Sequence, residues 1–113
     1  MEVSCHCGNV RITFYEAPQE VGECNCSICR RYAALWAYYS PQQVDVIDQK
    51  GTAAFYCWGD EEVEFYRCNE CGCITHYKTT PKCDEEIVAV NMRMAELSIL
   101  AAIPVRKING AEY

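Results

Sequence analysis

Apolar and polar side chains alternate along this chain over short stretches, and turn residues interrupt them every few positions. Val10, Ile12 and Phe14 are separated by Arg11 and Thr13, the two-residue period of a half-buried strand, and Pro18 closes that stretch. Residues 33–39 are rich in aromatics and bounded by Ser40-Pro41, which predicts another strand. Residues 44–47 form a short apolar run ended by the turn at 48–51. Residues 52–58 and 62–67 flank Gly59-Asp60 and predict a hairpin. Residues 74–78 predict a strand closed by Pro81, and the apolar, β-branched 87–90 a central one. A last short strand is expected at 105–108, after Pro104. One stretch, 92–101, predicts a short helix of a turn or two. There is no internal repeat, linker or low-complexity tract. Eight or so short strands with so little helix predict an all-β, β-rich fold in a single domain over residues 1–113.

Composition sharpens this picture. Half the residues count as hydrophobic, but that half includes ten Cys and eight Tyr, so the aliphatic core is thin. A metal staple would add useful stability to so small a core. No apolar run approaches the roughly 20 residues of a membrane span. Residues 1–8 carry neither a basic nor an apolar signal-peptide region, so the expected compartment is the reducing cytosol. There, dense cysteine points to metal or redox chemistry rather than disulfides. The net charge of -6 offers no electrostatic footprint for nucleic acid. The acidic runs at 60–64 and 84–86 read as solvated loop ends. Arginines stand elsewhere, at 11, 30, 31, 67, 93 and 106, which leaves room for a local positive pocket.

The cysteines are clustered. Cys5-His6-Cys7, Cys24-Asn25-Cys26-Ser27-Ile28-Cys29 and Cys68-Asn69-Glu70-Cys71 each lie in a tight turn beside an expected strand. Two thiolates from one turn reach a zinc ion at about 2.3 Å only where the backbone folds back sharply, and Gly8 and Gly72 permit that. A redox C-x-x-C protein would need a thioredoxin-like βαβ context, which is absent. Seven cysteines divide as four plus three: Cys5, Cys7, Cys68 and Cys71 as a closed structural site, and Cys24, Cys26 and Cys29 as a site with one open position. Cys57, Cys73 or Cys83 stands as an alternative eighth ligand. Three thiolates on zinc give a unit of net charge -1, a poor Lewis acid but a good host for a soft fourth ligand. The natural occupant is a substrate thiol, bound as its thiolate.

The order C-x-C-G (Cys5 to Gly8), C-x-C-x-x-C-R-R (Cys24 to Arg31), an aromatic strand (33–39), C-x-x-C-G-C (Cys68 to Cys73) and V-N-x-R (Val90 to Arg93) resembles the glutathione-dependent formaldehyde-activating enzyme family, which includes centromere protein V. The tail from Ala102 through Pro104 and Arg106 to Asn109-Gly110 is similar to that family's closing strand. The resemblance implies a tent-like zinc fold of short antiparallel strands with two zinc ions per chain. It implies a structural zinc on Cys5, Cys7, Cys68 and Cys71 and a second zinc on Cys24, Cys26 and Cys29. It also implies carbon–sulfur chemistry at the second zinc: condensation of glutathione with formaldehyde, or cleavage of S-hydroxymethylglutathione.

Other residues are weighed on their own terms. Arg30 and Arg31 either face the anionic zinc unit and a substrate carboxylate or are surface arginines. Asn91 and Arg93 are expected to line the cleft. Trp36, Tyr38 and Tyr39 fit core packing better than walls of the site. His6 is expected to point away from metal. His76 reads as a strand histidine more than an acid or base, Cys57 as a buried hydrophobe and Cys83 as a free thiol. The Asn25-Cys26-Ser27 sequon is dismissed, because a metal ligand lies inside it. The expected function is a carbon–sulfur lyase acting on a thiol–aldehyde adduct, with Cys24, Cys26 and Cys29 at the reacting centre and Arg30, Asn91 and Arg93 binding the thiol. The alternatives are a non-catalytic zinc-binding interaction module and a thiol-based zinc or redox sensor. The second zinc site is expected to lose metal or oxidise readily during purification.

Overall fold

The computed structural model describes residues 1–112 of the chain. β1 (Glu2–Ser4), β2 (Val10–Phe14) and β5 (Val44–Asp48) form a three-stranded antiparallel sheet in the order β1-β2-β5. Every second residue of β2 is buried, as its alternation predicts. Seven further strands make a second sheet: β3 (Val21–Cys24), β4 (Trp36–Tyr39), β6 (Ala54–Cys57), β7 (Val63–Arg67), β8 (Ile74–Thr79), β9 (Val88–Asn91) and β10 (Val105–Ile108). Their order is β10-β3-β4-β9-β8-β7-β6. β9 is the middle strand and all four of its residues are buried, which is why it reads as continuous apolar sequence.

The β-rich fold is the one expected, with three differences of detail. β1 and β3 are additional strands; with three and four residues they are too short to show a period. The helix expected within 92–101 is α2 (Leu97–Ala101), preceded by a 3-10 turn at Met92–Met94, but a second helix, α1 (Cys29–Tyr32), precedes β4. Ala33 ends α1 in the left-handed region, φ 54°, so the expected strand at 33–39 begins only at Trp36. Finally, β10 runs parallel to β3, while the other strand pairs are antiparallel. No helix among the described residues is long and apolar enough to cross a membrane.

The small sheet packs on one face of the large one. Val3, Val10, Ile12 and Phe14 meet Leu35, Ala37, Tyr39, Val90 and Met92 there, and Cys5 and Cys68 belong to the same cluster. Tyr39 lies in this core, its ring 5.1 Å from Phe14, and its hydroxyl donates to the Glu16 carbonyl. On the opposite face Trp36, Phe65 and Tyr77 form an aromatic cluster that α1 and Cys29 cover.

His76 on β8 is 2 % exposed and stacked on Tyr66 at 4.7 Å, with its Nδ1 2.8 Å from the Thr75 hydroxyl. Its Nε2 has no partner among the described residues. Burial, helped by the nearby Lys78, lowers its pKa to about 3. It is therefore a neutral strand histidine, not an acid or base of the site. The unfolded chain binds this proton near pH 6.5 and the folded chain only near pH 3, so stability falls as pH drops through that window. From pH 7 to pH 5 the loss is about 2 kcal/mol. His76→Phe, which keeps the stack, should lose that much less than the wild type in paired urea melts; equal losses would contradict the burial argument.

Candidate metal centres

The loop between β1 and β2 carries Cys5 and Cys7, and the loop between β7 and β8 carries Cys68 and Cys71. The ligand atoms of these four all lie within 4.8 Å of one another. Both loops turn back through a glycine of positive φ, Gly8 at 81° and Gly72 at 82°. Gly8 N–H bonds the Cys5 carbonyl at 3.1 Å and Gly72 N–H the Cys68 carbonyl at 2.8 Å. Backbone N–H groups then point at sulfur: Val10 at Cys5 (3.3 Å) and Glu70 at Cys68 (3.4 Å). The Asn9 amide adds a third donor, to Cys68 at 3.7 Å.

The fit to zinc can be tested on the sulfur spacing. A tetrahedron with Zn–S near 2.3 Å has edges of about 3.8 Å. Cys5 and Cys7 Sγ stand 3.6 Å apart, and Cys7 and Cys68 Sγ 3.7 Å. The donors are all soft sulfur, which suits zinc. Burial works against ionising Cys71, but the N–H groups of Cys73 and Cys7 outweigh it and hold its thiol at about 6. The Asn9 N–H favours the Cys7 thiolate, yet desolvation and the neighbouring sulfurs push that thiol up to about 12. Four thiols so close cannot all ionise without a cation among them.

The second group is Cys24 at the end of β3, Cys26 in the following turn and Cys29 at the start of α1. Their ligand atoms also lie within 4.8 Å of one another. No other Cys, His, Asp or Glu among the described residues joins them. Cys73 instead neighbours Cys71 of the first group, Cys57 lies on the edge strand β6, and Cys83 lines a groove beside Val44 and Val88. Cys57 is half-buried. The N–H of Cys29 points at Cys26 Sγ (3.4 Å) and the Trp36 indole N–H at Cys29 Sγ (3.4 Å). Trp36, expected in the core rather than in the wall of the site, is buried in the core and also touches the site. Burial opposes ionisation of Cys26, but the Cys29 N–H and the flanking thiols lower its pKa, while burial pushes Cys29 up to about 12. Of these thiols Cys26 is thus the one that its neighbours help toward the anionic form a cation needs. Three soft donors with hydrogen bonds to two of them fit a zinc ion with one position left to a ligand from outside.

A cavity of about 360 Å³ opens beside this group, with Cys24 and Cys29 in its wall. Arg30, Arg93 and Lys107 also line it, against a single carboxylate, Glu23, so its mouth is cationic in a chain of net charge -6. Lys107 pairs with Glu23 and lowers the pKa of that carboxyl. Arg93 is fixed by its Nε donating to the Ala33 carbonyl at 2.8 Å. Asn91, expected in the cleft, is absent from this cavity. It is 5 % exposed; its Oδ1 accepts from the N–H of Leu35 (3.2 Å) and Arg93 (3.1 Å), and its Nδ2 donates to the Ile74 carbonyl (2.8 Å). Its amide is thus engaged by backbone groups, one of them the Arg93 N–H, and with Arg93 it lines a different cavity beside His6 and Cys73. Tyr38 lies over Gly22 on the same sheet face as Trp36, and Arg31 bonds the Ser27 carbonyl outside the cavity. His6 is exposed.

Glu23, Lys107 and Asn109 are parts of the cavity that no sequence signal indicated. Glu23 and Lys107 come from the β3–β10 pair and Asn109 directly follows β10, and the parallel register Lys107↔Glu23, Ile108↔Cys24 has no local signature.

Comparison with known proteins adds the following. A family model described as glutathione-dependent formaldehyde-activating enzyme matches residues 1–103. The crystal structure of a Rhodobacter sphaeroides protein superimposes with a TM-score of 0.75 at 25% identity, over 94% of this chain and 100% of that one. A search of curated proteins returned no match.

Proposed function

The chain belongs to the glutathione-dependent formaldehyde-activating enzyme family, and from that premise we propose that it binds two zinc ions and cleaves or forms the carbon–sulfur bond of a thiol–aldehyde adduct. The observation that carries this reading is the group Cys24, Cys26 and Cys29, three thiols without a fourth ligand among the described residues, beside a cationic cavity that Cys24 and Cys29 line. A zinc ion held there would stabilise sulfur as the thiolate, the form in which it leaves or attacks.

The chain's own residues do the rest. Arg30, Arg93 and Lys107 hold the carboxylates of a small peptide thiol such as glutathione and bring its sulfur to the three-cysteine wall. In cleavage of a hemithioacetal the C–S electron pair goes to sulfur, the hydroxyl loses its proton and a carbonyl forms. Products are the thiol and the aldehyde, so atoms balance with no added oxidant. Glu23 is kept a weak base by Lys107, so the hydroxyl proton leaves to water in the open cavity. The chemistry needs reduced thiols, which favours a reducing compartment such as the cytoplasm.

The test is a titration of cobalt-substituted protein with glutathione. Sulfur-to-cobalt charge-transfer absorption should rise saturably as a fourth sulfur arrives. A spectrum indifferent to glutathione with both metals bound would refute the reading and favour a non-catalytic zinc module. A positive titration leads to release of formaldehyde from S-hydroxymethylglutathione as the activity assay.

A further inference from the structure

The family model ends at residue 103, and the chain beyond it returns to the second cysteine group. β10 lies parallel against β3 over four register pairs, ending at Ile108↔Cys24. Past that point the contacts continue. The Asn25 N–H donates to the Ile108 carbonyl at 3.1 Å, and the Asn25 side-chain amide donates to Asn109 Oδ1 at 2.9 Å. The Ala111 N–H donates back to Asn25 Oδ1 at 3.0 Å. Asn25, between two cysteines of the group, is thereby tied at three points to the C-terminal segment.

Gly110 sits inside this loop. A Cβ on it would stand 2.3 Å from Cys24 Sγ and 3.2 Å from Cys26 Cβ. Real Cβ contacts are never that close, so the segment approaches the sulfur only because residue 110 has no side chain. Gly22, on β3, plays the matching part at the other end: its missing Cβ leaves room for Ile108 Cδ1 at 2.7 Å and the Tyr38 hydroxyl at 2.8 Å.

We propose that residues 105–112 form a strap that positions the second cysteine group, with Gly110 fixing the place of Cys24 Sγ and Asn25 clasping the strap. The proposal rests on the reading of Cys24, Cys26 and Cys29 as a metal centre. Gly110 and Asn25 are positioning residues: they orient ligands and touch no reacting atom. Among the described residues no N–H is directed at Cys24 Sγ of the kind that holds Cys26 and Cys29, and steric confinement by the strap takes that role. Partners that orient metal ligands typically contribute about 10- to 100-fold in affinity when lost.

The test titrates cobalt(II) alone into the full-length chain and into Gly110→Ala and Asn25→Ala, following metal per chain and the charge-transfer and ligand-field bands. The four-cysteine site is the internal control, because its ligands come from the β1–β2 and β7–β8 loops while the strap pairs with β3 and bonds Asn25. In Gly110→Ala that site should fill normally while the second binds cobalt at least about tenfold more weakly, with altered ligand-field bands. Equal affinity and unchanged bands at both sites would overturn the strap. If Gly110→Ala fails to fold, shown by loss of both metals, Asn25→Ala decides by the same tenfold criterion. Neither reading involves glutathione, so a wild type that binds two cobalt ions but ignores glutathione sinks the lyase proposal and leaves the strap standing.

Discussion

Cys68→Ser should leave the chain without a stable native state. The first cysteine group joins two sheets: Cys5 and Cys7 come from the three-stranded sheet, Cys68 and Cys71 from the seven-stranded one. Cys7 and Cys68, 3.7 Å apart, are 61 positions apart in sequence, so the site closes a long loop. Cys68 is completely buried and belongs to the inter-sheet core. Zinc bound by four thiolates contributes on the order of 10 kcal/mol to folding, as much as the whole stability of an ordinary domain. A neutral hydroxyl in place of one thiolate also weakens the charge-assisted hydrogen bonds that Asn9 and Glu70 direct at this sulfur. The expected loss is therefore about 5 kcal/mol or more. Far-ultraviolet circular dichroism and a thermal melt at equal zinc concentration measure it; a melt within a few degrees of the wild type would contradict the staple.

Cys24→Ser should have the opposite profile. Its group spans only residues 24–29, from the end of β3 to the start of α1, so it closes no long loop, and it joins no sheets. Cys24 is only half-buried. Stability should change by about 1 kcal/mol, in the ordinary range for such substitutions. Metal per chain should fall from two to one, and the glutathione response should fall by roughly 100-fold or vanish. Metal analysis, a urea melt and the cobalt titration give the three numbers. A variant that keeps two metals and its glutathione response would remove this group from the function; one that unfolds would make it structural.

The two variants separate the roles because the fold treats identical ligands differently. In one group two pairs far apart in the chain are brought together from different sheets; in the other all three ligands are already close in sequence. A C-x-C or C-x-x-C spacing carries the local part of this information. Each pair must fold back through Gly8 or Gly72, and short separation lets both sulfurs face one point. The pairing of the two distant knuckles followed from counting, since seven ligands leave four for a closed site.

Local pattern also carried the strands that alternate or run apolar, β2 and β9 above all, because side chains of a strand report burial directly. The surroundings of Asn91, named through the family motif, follow from β9 lying at the centre of the large sheet: its amide bonds the backbone of Leu35, just before β4, and of Ile74 on β8. The contact of the Trp36 indole N–H with Cys29 likewise arises only once α1 has folded over the sheet.

What the sequence by itself determined is the chemistry: β-rich architecture, seven cysteines in knuckle spacing, their division into four and three, and the arginines at 30 and 93. Those are statements about residue type and local spacing, which short-range geometry translates directly. Only the tertiary structure decided the surroundings of the open group. The cationic cavity, the Glu23–Lys107 pair and the glycine pressed against Cys24 all depend on β10 lying parallel to β3. That pairing joins residues some 80 positions apart, as in Lys107 and Glu23, and parallel strands need a long crossover that leaves no local trace in the chain.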